Sequence, residues 1–328
     1  MDKPFKVTIA ESGRRFDVRE GESVLNAALR QGVMLPYSCK NGTCGSCKGR
    51  VISGQVHYPF HPPLALEQEE IDAGFALLCQ AAPEQDLELA AREIAAVRDI
   101  QVRMFPVRVT QKTLLAPNVI RLRLKLPAAQ RLQFLAGQYV DALLADGKRR
   151  AFSIASCPSL EDEIELHIRH IEGGDFTGWV FDELKERGIL RLEGPLGTFF
   201  VRNDRPERPM IMVGGGTGFA PLKSMIENLL EHGDTRPIHL YWGARTPAGL
   251  YLEALPRQWA ADYPHIHYRC AISEPTGDEA SDCYSGFVHQ AVISDHPDLS
   301  GFDVYMSGPP AMIDSARKAF QKAGVAED

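Results

Sequence analysis

Cys39, Cys44 and Cys47 stand in the run Cys39-Lys-Asn-Gly-Thr-Cys44-Gly-Ser-Cys47, and Cys79 follows after a longer gap. A pair of sulfide-bridged irons takes four thiolates, and C-x4-C-x2-C with a distant fourth cysteine is the spacing that supplies them. A structural zinc site is the other reading of four cysteines. Such sites usually carry two short C-x2-C-like pairs, whereas three of the ligands here fall within one nine-residue loop. Gly42 and Gly45 have no side chain to obstruct backbone N–H groups that approach anionic sulfur. His57 and His61 would matter only if histidines replaced two of the thiolates, as in a Rieske centre, and the four cysteines already complete the set.

Two other stretches carry groups suited to phosphate and to flat rings. Arg150-Ala-Phe152-Ser153 places a guanidinium fork and an aromatic on one predicted strand, and the fork matches a diphosphate. Gly174-Asp-Phe-Thr177 stands at a predicted helix start, where backbone N–H groups and the helix dipole favour an anion. Further on, Met210-Ile-Met-Val213 runs into Gly214-Gly-Gly-Thr-Gly218-Phe-Ala-Pro221, a buried strand, a glycine turn and a helix start. Leu222, Met225, Ile226, Leu229 and Leu230 give that helix an apolar face, and Gly233 ends it. The turn differs from the dinucleotide fingerprint G-x-G-x-x-G, because position 219 is Phe and no acid closes the strand Ile238–Trp242. Taken singly, an Arg and a Phe on a strand are ordinarily surface and core, and Ser307-Gly308-Pro309-Pro310 is ordinarily a turn. Their order along one chain is the signal. No persuasive Ser/His/Asp set offers a nucleophile.

The elements that must hold these groups separate into three units. Residues 1–98 read as strands Lys6–Ile9 and Arg15–Val18, a helix Ser23–Gln31, the cysteine loop, a strand Lys48–Ile52, a short helix Glu67–Ala73 and a strand Asp86–Ala91. Residues 102–204 change to short strands, Val107–Val109, Val119–Leu126, Gly137–Leu144, Arg150–Ala155 and Ile164–Arg169, separated by Pro, Gly and Asp. That spacing predicts a small antiparallel barrel, with one helix from Thr177 to before Gly188. Residues 205–328 alternate strands Met210–Val213, Ile238–Trp242, His267–Ile272 and Asp303–Met306 with helices Pro221–Glu231, Leu252–Ala260 and Met312–Lys322, the pattern of an α/β parallel sheet. The fold class is thus multidomain: an α+β unit, an antiparallel β-barrel and an α/β unit.

Net charge is −7, which argues against nucleic acid and against an anionic membrane surface. No apolar run reaches membrane-spanning length, and Met1-Asp-Lys-Pro-Phe lacks the layout of a signal peptide. With four of seven cysteines assigned, Cys157, Cys270 and Cys283 are expected to be reduced, in keeping with a cytoplasmic location.

The first unit resembles the β-grasp ferredoxins. Arg150-Ala-Phe152-Ser153 resembles the flavin motif of the ferredoxin–NADP reductase superfamily, and Gly174 with Thr177 resembles its diphosphate segment. Gly214-Gly-Gly-Thr-Gly218-Phe-Ala-Pro221 and Ser307-Gly308-Pro309 resemble its nucleotide segments. The resemblance implies FAD, with Arg150 on the diphosphate, Phe152 along the flavin ring, Ser153 near N5, and His167 and Arg169 on the ribityl and adenine side. Where many members carry Tyr, Phe152 keeps the stacking surface and forgoes one hydrogen bond, roughly 1 kcal/mol. It implies Gly215, Gly216, Thr217 and Gly218 on the nucleotide, and Ser307, where members commonly have Cys, beside the nicotinamide with Gly308 and Pro309. NADP-specific members present Ser-Arg where this chain has Ser273-Glu274. A carboxylate repels a 2′-phosphate and accepts from ribose hydroxyls, so NADH is the expected donor. Family members run on to a flavin-shielding aromatic near the C-terminus; this chain closes on Ala326-Glu-Asp328, which leaves two readings, a shortened chain or an absent shield.

The order of units is similar to the NADH reductases of benzoate dioxygenase and methane monooxygenase. Phe134-Leu-Ala-Gly-Gln-Tyr139 and Gly194-Pro-Leu-Gly197 resemble the CDP-6-deoxy-glucoseen reductases of deoxysugar biosynthesis. The resemblance implies a relay from NADH to FAD to the 2Fe–2S cluster, with Ser153 and Ser307 nearest the hydride, and a protein acceptor at the end. That acceptor would be a pyridoxamine-dependent sugar dehydratase or, alternatively, an oxygenase component; a non-catalytic redox sensor or electron-carrier module is the third reading. The purified protein is expected to hold about two irons and one flavin per chain, checked by metal analysis and visible absorption; one zinc and no iron would overturn the cluster assignment.

Overall fold

The computed structural model describes residues 3–127, 131–144, 146–160, 162–275 and 282–326. The chain divides into two compact units, Met1–Gln101 with Leu196–Phe199, and Val102–Pro195 with Phe200–Asp328.

In the first unit, apolar residues alternate along β1 (Phe5–Ile9) and β2 (Arg15–Val18), so Val7, Ile9, Phe16 and Val18 face the core. The α1 helix (Val24–Arg30) is capped by Ser23, whose hydroxyl accepts from the Asn26 N–H at 3.3 Å, and it buries Val24, Leu25, Ala27 and Ala28. Then come β3 (Lys48–Ser53), β4 (Val56–His57), α2 (Gln68–Asp72), β5 (Phe75–Leu77), β6 (Ala82–Pro83) and β7 (Leu87–Ala90). The main sheet has the order β2-β1-β7-β3-β5, with β1 parallel to β7 and the other pairs antiparallel. This mixed sheet with its helix is the expected β-grasp arrangement. The cysteine loop fills the connection between α1 and β3, and Cys79 lies between β5 and β6.

The second unit opens with a barrel-like sheet: β8 (Arg103–Ala116), β9 (Val119–Lys125), β10 (Tyr139–Leu143), β11 (Arg149–Ser153), β12 (Glu163–Arg169), α3 (Asp175–Asp182) and β13 (Ile189–Leu196). The order is β11-β10-β13-β8-β9-β12, and an Ile154–Leu166 bridge links its two ends. Val107, Val109, Leu122, Leu124, Val140, Ile164, Leu166 and Leu192 fill it. The α3 helix starts at Asp175 and stops at Asp182 rather than running from Thr177 toward Gly188, because Gly174 occupies the N-cap. The turn before Gly188 contains Arg187 in the left-handed region, φ 69°, which a continuing helix cannot accommodate. The sequence reading passed over β13, taking Gly194-Pro-Leu-Gly197 only as a resemblance.

The same unit continues with β14 (Met210–Gly215), α4 (Phe219–Glu231), β15 (Ile238–Ala244), α5 (Ala254–Asp262), β16 (Ile266–Ile272), β17 (Tyr284–Ser285), α6 (Val288–Asp295), β18 (Asp303–Ser307) and α7 (Pro310–Lys322). All pairs are parallel, in the order β17-β16-β15-β14-β18. Every residue of the central strand β14 is buried, which fits its continuous apolar run. One expectation is corrected: Cys270 and Cys283 form a disulfide. Pairing of β16 with β17 sets Ala271 opposite Tyr284 and brings the two cysteine Cα atoms to 4.8 Å. Without β17 in view, the sequence offered no reason to place Cys283 there. Cys157 is a free, buried thiol that donates to Glu231 Oε2 at 2.9 Å. Leu122 is fully buried at the barrel centre, so Leu122→Ala is expected to destabilise the second unit by about 2–5 kcal/mol, measured by denaturant unfolding.

Candidate functional site

The cysteine loop is shaped by residues in the left-handed region: Lys40 at φ 57°, Gly42 at 79° and Gly45 at 76°. These reversals turn successive backbone N–H groups inward. Those of Asn41 and Cys44 point at the Cys39 sulfur, and that of Gly42 points at Cys79. A Cβ on Gly42 would sit 3.1 Å from Gln80 Cγ, so the loop is also tight from outside. Cys39, Cys44, Cys47 and Cys79 are all free, and they meet as two hydrogen-bonded pairs. The Cys44 thiol bonded to Cys39 brings Cys39 down to about 4, and the Cys47 thiol lowers Cys79. The donor partners Cys44 and Cys47 are correspondingly pushed up. Four sulfurs ringed by N–H donors are a cradle for an anionic iron–sulfide group. His61 turns its Nδ1 to the Pro62 carbonyl at 2.9 Å, and His57 lies 3.7 Å from Glu84. A third cysteine grouping, Glu253 with Cys270 and Cys283, has its sulfurs tied up in the disulfide.

On the barrel, Arg150, Phe152 and Ser153 share β11. The Arg150 guanidinium is exposed, bonds the Arg149 carbonyl at 2.9 Å and meets no carboxylate among the described residues. Phe152 packs on Phe176 of α3 with ring centroids 5.4 Å apart, which brings the strand and the helix start together. Gly174 caps α3 with no side-chain bond, and the Thr177 hydroxyl accepts from Ile171 N–H at 3.1 Å. A Cβ on Gly174 would press 2.8 Å from that hydroxyl. A helix N-terminus and a guanidinium free of any carboxylate among the described residues are each suited to a diphosphate.

In the nucleotide sheet, Gly215 ends β14, and Gly216, Thr217 and Gly218 form a single 3-10 turn leading into α4. Gly216 has φ 53°, and a Cβ there would collide with the Arg169 guanidinium. Arg169 Nε is buried without a partner, a donor suited to an anion at this turn. A Cβ on Gly218 would strike the Ser307 carbonyl, and one on Gly215 would lie 2.9 Å from Pro309 Cδ. The turn after β14 and the turn after β18 therefore interlock, with Ser307 opposite Gly214 in register. Ser273 and Glu274 follow β16, two strands away. Glu274 is paired with Arg245, which the sequence reading did not single out.

His167 is placed differently from its neighbours. Its side chain is 0% exposed and both ring nitrogens are engaged, Nδ1 with Tyr251 Oη and Nε2 with Glu165 Oε1, each at 2.9 Å. Glu165 also faces Lys223 Nζ at 3.5 Å and Arg123 Nε at 3.6 Å. Burial pushes the Glu165 carboxyl up, but the His167 bond and the Lys223 charge outweigh it and hold the group at about 2. Burial lowers His167 and keeps it neutral. Lys223 also donates to the Ala155 carbonyl at 3.1 Å and to Glu227 at 2.9 Å. Trp242 donates to the Gly216 carbonyl at 2.9 Å and stacks on Phe219 at 4.0 Å. Sequence reasoning missed Glu165, Lys223, Trp242 and Tyr251; only the alternation of Glu165 and His167 along an inward-facing strand hinted at them. The reading of the C-terminal shield concerns the chain end, whose Glu327 and Asp328 lie outside the described residues.

Sites of these three kinds on one chain are the equipment of an oxidoreductase that moves electrons between a nicotinamide, a flavin and an iron–sulfur cluster. Three domain families match in the same order: a 2Fe-2S iron-sulfur cluster binding domain over residues 7–84, an oxidoreductase FAD-binding domain over 106–201 and an oxidoreductase NAD-binding domain over 212–318. The chain belongs to the ferredoxin–NADP reductase superfamily, in the branch with a 2Fe–2S domain ahead of the flavin domain. It is 40% identical over 323 residues to the CDP-6-deoxy-L-threo-D-glycero-4-hexulose-3-dehydrase reductase of Yersinia pestis, covering 98% of this chain and 95% of that one. It is 40% identical over 319 residues to the phenol 2-monooxygenase reductase component DmpP of Pseudomonas sp. (strain CF600), covering 95% and 89%. The crystal structure of the Amycolatopsis cytochrome P450 reductase GcoB superposes with a TM-score of 0.76 at 35% identity, covering 97% of this chain and 95% of that one.

His167 supplies a pH test. Its folded pKa lies below the 6.5 of a free histidine, so the unfolded chain takes up its proton first as pH falls. The stability it contributes is complete above about 6.5 and is lost below that. Thermal melts are expected to show Tm falling as the pH drops below about 6.5, and His167→Gln is expected to flatten that slope.

Proposed function

We propose that the chain takes hydride from NADH onto FAD, passes single electrons to a 2Fe–2S cluster and delivers them to a protein acceptor. The acceptor that fits best is a pyridoxamine-dependent sugar dehydratase. The observation that carries the relay is the presence of three complete donor sets on one chain. What supports the acceptor is the 40% identity, over nearly the whole of both chains, to a hexulose-dehydrase reductase. The oxygenase reading has its own support in the equal identity to DmpP.

In this reading residues 1–98, 102–204 and 205–328 are the ferredoxin, flavin and nucleotide modules. Cys39, Cys44, Cys47 and Cys79 hold the cluster. Arg150 and the α3 start at Gly174 and Thr177 neutralise the flavin diphosphate, Phe152 covers the ring, and Ser153 offers a hydrogen bond at its edge. Arg169 reaches toward the nucleotide turn, with His167 keeping its strand in place. Gly215, Gly216, Thr217 and Gly218 admit the nucleotide backbone-close, while Ser307, Gly308 and Pro309 border the nicotinamide. Ser273 and Glu274 receive the adenosine ribose. When bound, the flavin accepts a hydride and releases electrons one at a time, and the cluster stores one.

Cys44→Ser is expected to abolish most cytochrome c reduction and spare most ferricyanide reduction, because only the small oxidant can draw electrons from the flavin directly. Loss of Arg150 removes a charge-assisted contact and should weaken flavin binding roughly 10–150-fold, lowering both activities, with added FAD restoring part. Normal cytochrome c reduction by the cluster-free protein would sink the relay. Reconstitution with the dehydratase and with an oxygenase, each assayed for turnover driven by NADH, separates the two acceptors.

A further inference from the structure

Ser153, expected at the flavin edge, runs directly into Ile154, Ala155 and Ser156, and this short exit from β11 is held from two sides. On the barrel side, Ile154 bridges to Leu166 of β12, the Ala155 N–H donates to the Glu165 carbonyl at 2.8 Å, and the Glu165 N–H donates to the Ser156 hydroxyl at 3.1 Å. On the nucleotide side, α4 reaches the two remaining carbonyls: Lys223 Nζ donates to that of Ala155 at 3.1 Å, and Ser224 Oγ to that of Ser156 at 2.7 Å. Lys223 also faces Glu227 at 2.9 Å and Glu165 at 3.5 Å, so each of its three protons has an oxygen to meet. Both side chains are buried, Lys223 at 9% exposure and Ser224 at 0%.

A well-packed apolar residue would hold such a place about as stably as a buried ammonium does. What lysine adds is direction, because its bonds fail if α4 slides along the barrel, whereas apolar contacts would re-form. The bonds also lie on a short path between the two residues expected nearest the hydride. From Ser153 the chain runs two positions to Ala155, crosses to Lys223, and returns five positions along α4 to Gly218. Gly218 in turn abuts Ser307, since a Cβ there would strike the Ser307 carbonyl. We propose that Lys223 and Ser224 are positioning residues for hydride transfer: through the Ala155 and Ser156 carbonyls they fix the flavin edge against the nicotinamide turn. This rests on the flavin and nucleotide sites proposed above and adds the device that aligns them. Reacting atoms must stand about 3–3.5 Å apart, and a shift near 1 Å can cost on the order of 100-fold in rate.

The full-length parent, Ser224→Ala and Lys223→Met, each loaded with FAD and cluster, are mixed anaerobically with NADH, and flavin bleaching is followed by stopped flow. The limiting rate of flavin reduction is expected to fall roughly 2–12-fold in Ser224→Ala and roughly 10–100-fold in Lys223→Met. The NADH dissociation constant and the FAD content are expected to stay as in the parent. With NADH deuterated at the transferred position, the slowed rates should keep a primary isotope effect, which identifies hydride transfer as the step affected. Amide hydrogen exchange of the loaded proteins gives a readout apart from turnover: it should quicken over residues 153–157 and 219–224 and stay parental elsewhere. Ser224→Ala leaves no buried charge unpaired, so it carries the test if Lys223→Met does not fold. A parental limiting rate in Ser224→Ala overturns the proposal. So does slowed reduction accompanied by weaker NADH or FAD binding, or by faster exchange throughout the second unit, the marks of a merely structural role. A parent that NADH does not reduce would bring down the relay itself, and the proposal with it.

Discussion

Glu165, His167, Tyr251 and Lys223 form a buried polar chain on which the geometry of the second unit depends. Its members come from separate elements: β12 supplies Glu165 and His167, α4 supplies Lys223, and the segment after β15 supplies Tyr251. The turn after β11 joins through the Ala155 and Ser156 carbonyls, which accept from Lys223 at 3.1 Å and Ser224 at 2.7 Å. Apolar contacts between two sheets tolerate sliding, whereas a buried carboxylate and ammonium do not, since a lost partner leaves a charge without solvent or counter-charge. Because α4 begins at the glycine turn and β12 ends at Arg169, satisfying this chain fixes where Arg169 meets Gly216. The spacing between flavin strand and nucleotide turn is thus set by polar registry.

The cluster loop solves its own problem by a different route. Sulfur ligands need N–H donors aimed from one side, and a helix or strand would direct them along its own ladder instead. Left-handed residues at positions 40, 42 and 45 break that ladder within a few residues. This is why the motif is so local, and why it could be read without knowing the fold.

Locality also explains what else was legible. The C-x4-C-x2-C run, the β11 motif, the glycine turn and the apolar pattern of each single strand or helix depend on residues within about a dozen positions of one another. The groups that went unread depend on partners far along the chain. Trp242 looks like a buried strand aromatic until its indole is seen on the Gly216 carbonyl. Tyr251 and Lys223 look like ordinary polar residues until His167 and Glu165 are brought to them. Cys283 gains its partner only through β17, two residues long and too short to announce itself. Glu274 was readable as an acid, but not as one already holding Arg245.

The overall charge of −7 argues against long polyanions, yet the ligands of this chain, a diphosphate flavin, a dinucleotide and a sulfide cluster, are all anionic. The two facts are compatible because the proposed sites rely on backbone donors as well as on charged side chains. Backbone N–H groups of the cysteine loop, of the α3 start and of the glycine turn contribute field without appearing in composition. Of the cations proposed to assist, Arg150 and Arg169, the second lies against the glycine turn. A long nucleic acid needs charge spread along a surface, whereas a compact anion needs it only at a point. Local donor geometry, rather than net charge, therefore decides which anions an acidic protein can hold.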